Sequence, residues 1–274
     1  MTSKHFIFLL GTLCCPLYAA DAPPSGGDSQ TQLATQLEAS VAPGKIVWLE
    51  EQNKKTLAVF QPATTQAQGA VILIPDSGMT PDGASVIGPL RRKLTEYGWS
   101  TLALHVPAIY DSTAKVESAA LMQATQTALA AAEKFLAEKN LKPVIIIGIG
   151  LGAAASSAAI NDQPAGLVLI SPRSGAKDDA TFYLPQTMSK LTLPILDVYG
   201  QRDAQPVLAS AAERAATKKS ATTGSTSSSY QQIMIPTADH NFSGQEDLLA
   251  KRIVGWLRKN VLGASKTNKP KNGN

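Results

Sequence analysis

The chain has 274 residues, 44% of them hydrophobic and 17% charged, with a net charge of +4 at neutral pH. That length and apolar share exclude an intrinsically disordered chain or a small disulfide scaffold, and they allow a sizeable core without staples. There are 25 basic against 21 acidic residues; omitting Lys4 leaves 24, and Lys266, Lys269 and Lys271 near the C-terminus account for the remaining excess, so the folded core is neutral and nucleic-acid binding is not expected.

Residues 1–20 place Lys4 ahead of an apolar run from Phe6 to Leu13 and then reach Ala19 and Ala20. This is the layout of a secretory signal peptide, too short to span a bilayer in the finished protein. Cleavage there removes Cys14 and Cys15, leaving no thiol and no transmembrane segment, and a periplasmic or secreted location is expected. Residues 21–32 read as a flexible polar linker within an N-terminal segment at 21–44, the folded domain spans 45–262, and 263–274 forms a disordered basic tail.

Within the domain, 45–51 and 56–61 predict a hairpin around the polar turn Gln52-Asn53-Lys54-Lys55. The run 70–75 is uninterrupted and apolar, as in a buried parallel strand. A loop rich in turn formers, Asp76-Ser77-Gly78-Met79-Thr80-Pro81-Asp82-Gly83, precedes a helix over 84–97. Strand 99–106 and helix 116–139 follow. A strand begins at Val144 and turns at Gly148-Ile149-Gly150-Leu151-Gly152 into a helix over 153–160. Beyond it lie strands at 166–170, 194–199 and 230–235, and helices at 207–217 and 246–261. The Ser- and Thr-rich stretch 218–229 reads as a mobile insertion. An opening hairpin followed by alternating strands and helices predicts one α/β domain, with a mostly parallel sheet of about eight strands covered on both faces.

The glycine turn fits two kinds of site. With Gly148 and Gly152 as outer positions, it has the spacing of Gly-x-Ser-x-Gly, the nucleophile elbow, but with Gly150 where the serine belongs. Gly148, Gly150 and Ala153 equally satisfy Gly-x-Gly-x-x-Gly/Ala, a pyrophosphate-binding fingerprint, and Arg173 after the next strand is a possible partner for a 2′-phosphate. A dinucleotide fingerprint belongs after the first strand of its domain, whereas this one follows the fifth. The acid–base order Ser, Asp, His is retained in its last two members: Asp203 follows the strand at 194–199, and His240 follows the strand at 230–235.

On these residues, the chain resembles the α/β-hydrolase superfamily from Lys45 to Val261. More narrowly, it is similar to an uncharacterised group of exported α/β-hydrolase-like proteins of Gram-negative bacteria with a glycine-rich elbow. The resemblance implies a three-layer minimal core without a cap domain, an acid role for Asp203 and a base role for His240. Glycine at 150 supplies no nucleophilic oxygen. The Leu151 amide and one from Ser77 or Gly78 would stand at oxyanion-hole positions and hold an acyl or carboxylate ligand. Ser156 and Ser157 lie about 6 to 9 Å down the elbow helix, and Ser171 ends the next strand; Ser77 is the one hydroxyl worth testing as a displaced nucleophile. The three histidines, His5, His105 and His240, are isolated, so no metal centre and no cofactor are expected.

The expectation is an exported pseudoenzyme that lacks the nucleophilic serine and acts as a binding or scaffold protein of the cell envelope, with a small acyl ligand or an envelope protein as partner. One alternative is a serine-esterase-like or water-based hydrolase of carboxylic esters or related acyl substrates. The other is a dinucleotide-binding protein.

Overall fold

A computed structural model describes residues 26–110, 117–160, 163–221 and 229–263. The predicted signal peptide and the tail from residue 264 onward lie outside the described residues.

Eight strands form one sheet in the order β1-β2-β4-β3-β5-β6-β7-β8. The hairpin β1 (Lys45–Glu51) and β2 (Lys54–Gln61) is antiparallel, and β2 pairs antiparallel with β4 (Trp99–Leu104). From β4 onward the pairing is parallel through β3 (Gly69–Ile74), β5 (Val144–Ile149), β6 (Gly166–Ile170), β7 (Ile195–Arg202) and β8 (Tyr230–Asp239). The chain steps from β3 outward to β4 and then returns to β5 on the other side of β3. The order therefore reverses between β3 and β5, and in open α/β sheets ligand sites form at the carboxyl ends of the strands at such a point.

The uninterrupted apolar strands are buried because helices cover both faces of the sheet. On one face, Ile72, Ile74, Ile146 and Leu169 pack with Leu129, Ala132 and Leu136 of α4 (Ser118–Glu138) and with the alanines of α5 (Leu151–Ala159). On the other, Val71, Leu73, Ile147 and Val168 meet Leu90 and Leu94 of α2 (Ile87–Glu96) and Ile253, Val254 and Leu257 of α8 (Glu246–Leu257). The first helix on this second face is anchored by Arg91, which is fully buried. Arg91 Nη2 donates to Asp82 Oδ1 at 2.7 Å and to the Val41 carbonyl at 3.0 Å, and Nη1 donates to the Pro43 carbonyl and to Gln61 Oε1, both at 2.7 Å. These bonds fasten the chain entering β1 to the body of the domain.

The structure differs from the sequence expectations at several places. The stretch expected to be a linker carries a helix, α1 (Gly26–Glu38), whose Ala34 and Leu37 pack with Leu57 and Val59 of β2. Polar composition at 26–32 hid the apolar residues that follow it. The hairpin turn is two residues, Gln52 and Asn53, both left-handed at φ 50° and 61°, so Lys54 and Lys55 belong to β2. The helix α7 (Gln205–Ala221) continues into the expected insertion, and residues 222–228 lie outside the described residues. Strand β8 runs on to Asp239. Two short helices were not anticipated: α3 (Pro107–Tyr110) and α6 (Leu184–Ser189). Between β6 and β7, α6 is the one helix, and no cap is present.

Candidate active site

The elbow between β5 and α5 has the strained form expected of a nucleophile turn: Gly150 sits at φ 56° and ψ −115°. A Cβ on Gly152 would lie 2.3 Å from the Pro75 carbonyl oxygen, so the end of β3 rests directly on the start of α5. That close approach delivers the next residue, Asp76, to the elbow. A Cβ on Gly150 would lie 2.1 Å from Asp76 Cγ and Oδ2. The Asp76 carboxylate thus fills the space in which a nucleophilic side chain would stand.

Its bonding follows from that position. Asp76 Oδ1 accepts hydrogen bonds from the backbone N–H of Leu151 at 2.7 Å, from the N–H of Ser77 at 2.7 Å and from Arg173 Nη2 at 2.6 Å. Asp76 Oδ2 lies 3.3 Å from His240 Nε2. On the far side of the imidazole, His240 Nδ1 is 2.6 Å from Asp203 Oδ1. Asp203 in turn accepts from Ser171 Oγ at 2.6 Å and from the Gly200 N–H at 3.0 Å through Oδ2, and from the Ala204 N–H at 2.8 Å through Oδ1. The histidine is therefore held between two carboxylates. The Asp203 side chain is fully buried, that of Asp76 is 10% exposed and that of His240 28%.

The electrostatics are set by this sandwich. The hydrogen bond to Asp203, then that to Asp76, outweigh burial and raise His240 to about 9, so at neutral pH it is an imidazolium donating from both nitrogens. Burial pushes the Asp76 carboxyl up, but the bonds from His240 and Leu151, the charge of Arg173 and the Ser77 amide leave it below the ordinary aspartate range. Asp203 behaves alike: burial raises it, and bonds from His240, Ser171, Gly200 and Ala204 hold it low. Two carboxylates are matched by one guanidinium and one imidazolium. An imidazolium is a proton donor, and it has no lone pair with which to act as a general base.

The residues expected from the sequence are accounted for as follows. Asp203 and His240 meet, and the elbow glycines Gly148, Gly150 and Gly152 form the turn. The Leu151 and Ser77 amides converge as oxyanion donors would, but on an oxygen of the protein itself. Gly78 does not join them, because its N–H donates to the Tyr110 carbonyl at 3.1 Å. Ser77, the hydroxyl considered as a displaced nucleophile, accepts from Arg173 Nη2 at 2.6 Å through its Oγ. Ser156 Oγ donates to the Gly152 carbonyl and Ser157 pairs with Thr187, so neither hydroxyl faces the elbow. Arg173, considered for a 2′-phosphate, is engaged with Asp76 and Ser77. Asp76 itself was missed. The signal for it was the empty place at Gly150 together with a carboxylate two residues past the end of β3, the strand adjoining β5.

Among solved structures, the fold is similar to Est1E from Butyrivibrio proteoclasticus, with 16% sequence identity, a TM-score of 0.61 and coverage of 79% of this chain and 99% of that one. It is similar to XC6422 from Xanthomonas campestris, described as a serine hydrolase without a lid, at 17% identity and a TM-score of 0.56 over 79% of this chain and 94% of the other. The esterase Pf2001 of Pyrococcus furiosus gives 15% identity and a TM-score of 0.63 over 80% and 93% of the two chains. At such identities the likeness establishes the α/β-hydrolase fold. No curated protein matches the sequence. Residues 16–128 and 110–259 match a family described as a protein of unknown function, DUF3530, and the chain belongs to that family.

Proposed function

We propose that this protein is an exported, non-catalytic member of the α/β-hydrolase fold that serves as a binding or scaffold protein of the cell envelope. The observation that carries the reading is the Asp76 carboxylate. It occupies the nucleophile's space beside Gly150, takes the two amides that would stabilise an oxyanion, and keeps His240 protonated. Acyl transfer needs each of these three positions for the substrate or the attacking group. Export rests on the charge and hydropathy pattern of residues 1–20. No described helix is long and apolar enough to cross a membrane.

The test is intact-mass analysis after exposure to a fluorophosphonate. Wild type is expected to stay unmodified, and an Asp76→Gly/Gly150→Ser double variant to gain one adduct that His240→Ala suppresses. Labelling of wild type that depends on His240 would overturn the non-catalytic reading.

A second reading, a water-based hydrolase, is favoured by one feature: the 2.6 Å contact between His240 and Asp203. With His240 raised to about 9, such an activity would increase as pH rises through that value. Ester turnover that is flat between pH 7 and about 10, or unchanged in His240→Ala, removes its basis.

A further inference from the structure

A groove of about 950 Å³ lies apart from the elbow, at the sheet edge where helix α1, the β1–β2 hairpin, the segment after β4 and helix α4 come together. Its size falls within the range of small-molecule sites. The apolar wall is made by Trp48, Val106, Pro107, Ala108, Ala124 and Ala128. Among the described residues three large hydrophobic side chains are exposed, and one of them, Trp48, lines the groove; a second, Tyr110, is not in its wall but packs edge-on against His105, which is, with ring centroids 5.2 Å apart. Single exposed apolar residues are ordinary, but an exposed tryptophan set in the wall of a concavity offers apolar contact area to a ligand.

Two polar features set what this surface accepts. Lys54 and Lys55 line the groove and no carboxylate does; Lys55 is shared with Glu50 at 3.3 Å, an exposed pair, while Lys54 has no ion-pair partner among the described residues. The second feature is His105, 4% exposed, in the same wall. Its Nδ1 is buried without a hydrogen-bond partner, which native folds seldom leave so. Burial pushes its pKa down to about 4, so the ring is a neutral hydrogen-bonding group rather than a third cation.

We propose that this groove binds a small amphipathic monocarboxylate, with its hydrocarbon body against Trp48, Pro107, Ala108, Ala124 and Ala128 and its head drawn by Lys54, with Lys55 beside it. The apolar wall supplies affinity, and the lysines in the lining, which holds no carboxylate, select an anion over a neutral chain. The assignment does not depend on whether the elbow is catalytic.

Decanoate is the probe. Trp99 and Trp256 are buried, so Trp48 is the tryptophan whose emission reports on the groove. Titration is expected to give a saturable blue shift and, by calorimetry, one site per chain with a dissociation constant below about 1 mM. Lys54→Gln/Lys55→Gln, which removes both charges without setting like charges opposite Glu50 and Glu51, is expected to weaken binding about fivefold with little change in the thermal midpoint. His105→Phe, which keeps a ring against Tyr110, weakens it about three- to tenfold. Trp48→Phe abolishes the optical change while the heat remains. The proposal is overturned if calorimetry shows no saturable decanoate binding. It is equally overturned if decanol binds as tightly as decanoate and the lysine double variant binds both unchanged, because the groove then partitions hydrocarbon without recognising an anion.

Discussion

Two ionic clusters are built into this sheet, and every carboxylate in both is satisfied. In the first, Arg214 and Asp197 are both fully buried; Arg214 Nε donates to Asp197 Oδ2 at 2.8 Å, and that oxygen also accepts from Tyr230 at 2.9 Å and Gln232 at 3.0 Å. In the second, Asp76, His240, Asp203 and Arg173 gather at the elbow, with Arg173 38% exposed. The first ties α7 to β7 and β8 and has no face toward solvent. The second stands at the carboxyl ends of the strands, next to the point where strand order reverses. Hydrogen-bond satisfaction therefore does not separate a structural cluster from a site; position in the sheet and access from outside do.

If that distinction holds, removing an arginine should have very different effects in the two places. Arg214→Met leaves Asp197 charged and buried, and a loss of about 3–5 kcal/mol is expected in urea unfolding. Arg173→Met should fall well short of that, since Arg173 is 38% exposed and Asp76 keeps the Leu151 and Ser77 amides and His240. An equal loss in both would erase the contrast. Next in size is Gly150→Ser. Its Cβ would fall 2.1 Å from the Asp76 carboxyl group, and overpacking of this kind costs about 1–3 kcal/mol. Adding Asp76→Gly should restore most of the stability, whereas a double variant no more stable than Gly150→Ser would show that the turn, not the carboxylate, rejects the side chain.

The charge state of the elbow gives a third comparison. A histidine whose folded pKa is raised contributes stability that is fully present below its ordinary value and is lost as pH climbs through about 9. Asp76 and Asp203, both held low, contribute stability that is present above the ordinary aspartate range and fades as pH falls through it. Stability should thus fall on both sides of a plateau, and Asp76→Asn should flatten the alkaline limb and lower the His240 midpoint read by NMR. An unchanged midpoint would separate Asp76 from the histidine. Smallest is Ser171→Ala, expected to cost about 1 kcal/mol, because Asp203 keeps two backbone donors and the imidazole.

Much of the fold was legible because its signals are local. The apolar runs of β3, β5 and β6 announce buried strands, and the glycines at 148, 150 and 152 announce the turn. Asp203 and His240 were visible because each follows a strand at a recognisable place. Asp76 was not, because its role depends on the absence of a side chain 74 positions along the chain, a complementarity that exists only after β3 and β5 are paired. The helix at 26–38 was hidden by composition: its polar first half masked the Ala34 and Leu37 contacts that hold it against β2.

The carboxylate at the elbow also behaves as a ligand that is already bound. It is tethered by the chain, so a competing acid or acyl compound faces an effective concentration far above any it can reach in solution. Compound screens directed at the elbow of the intact protein are therefore biased toward blanks, and the Asp76→Gly variant is the form in which that pocket can report what it accommodates.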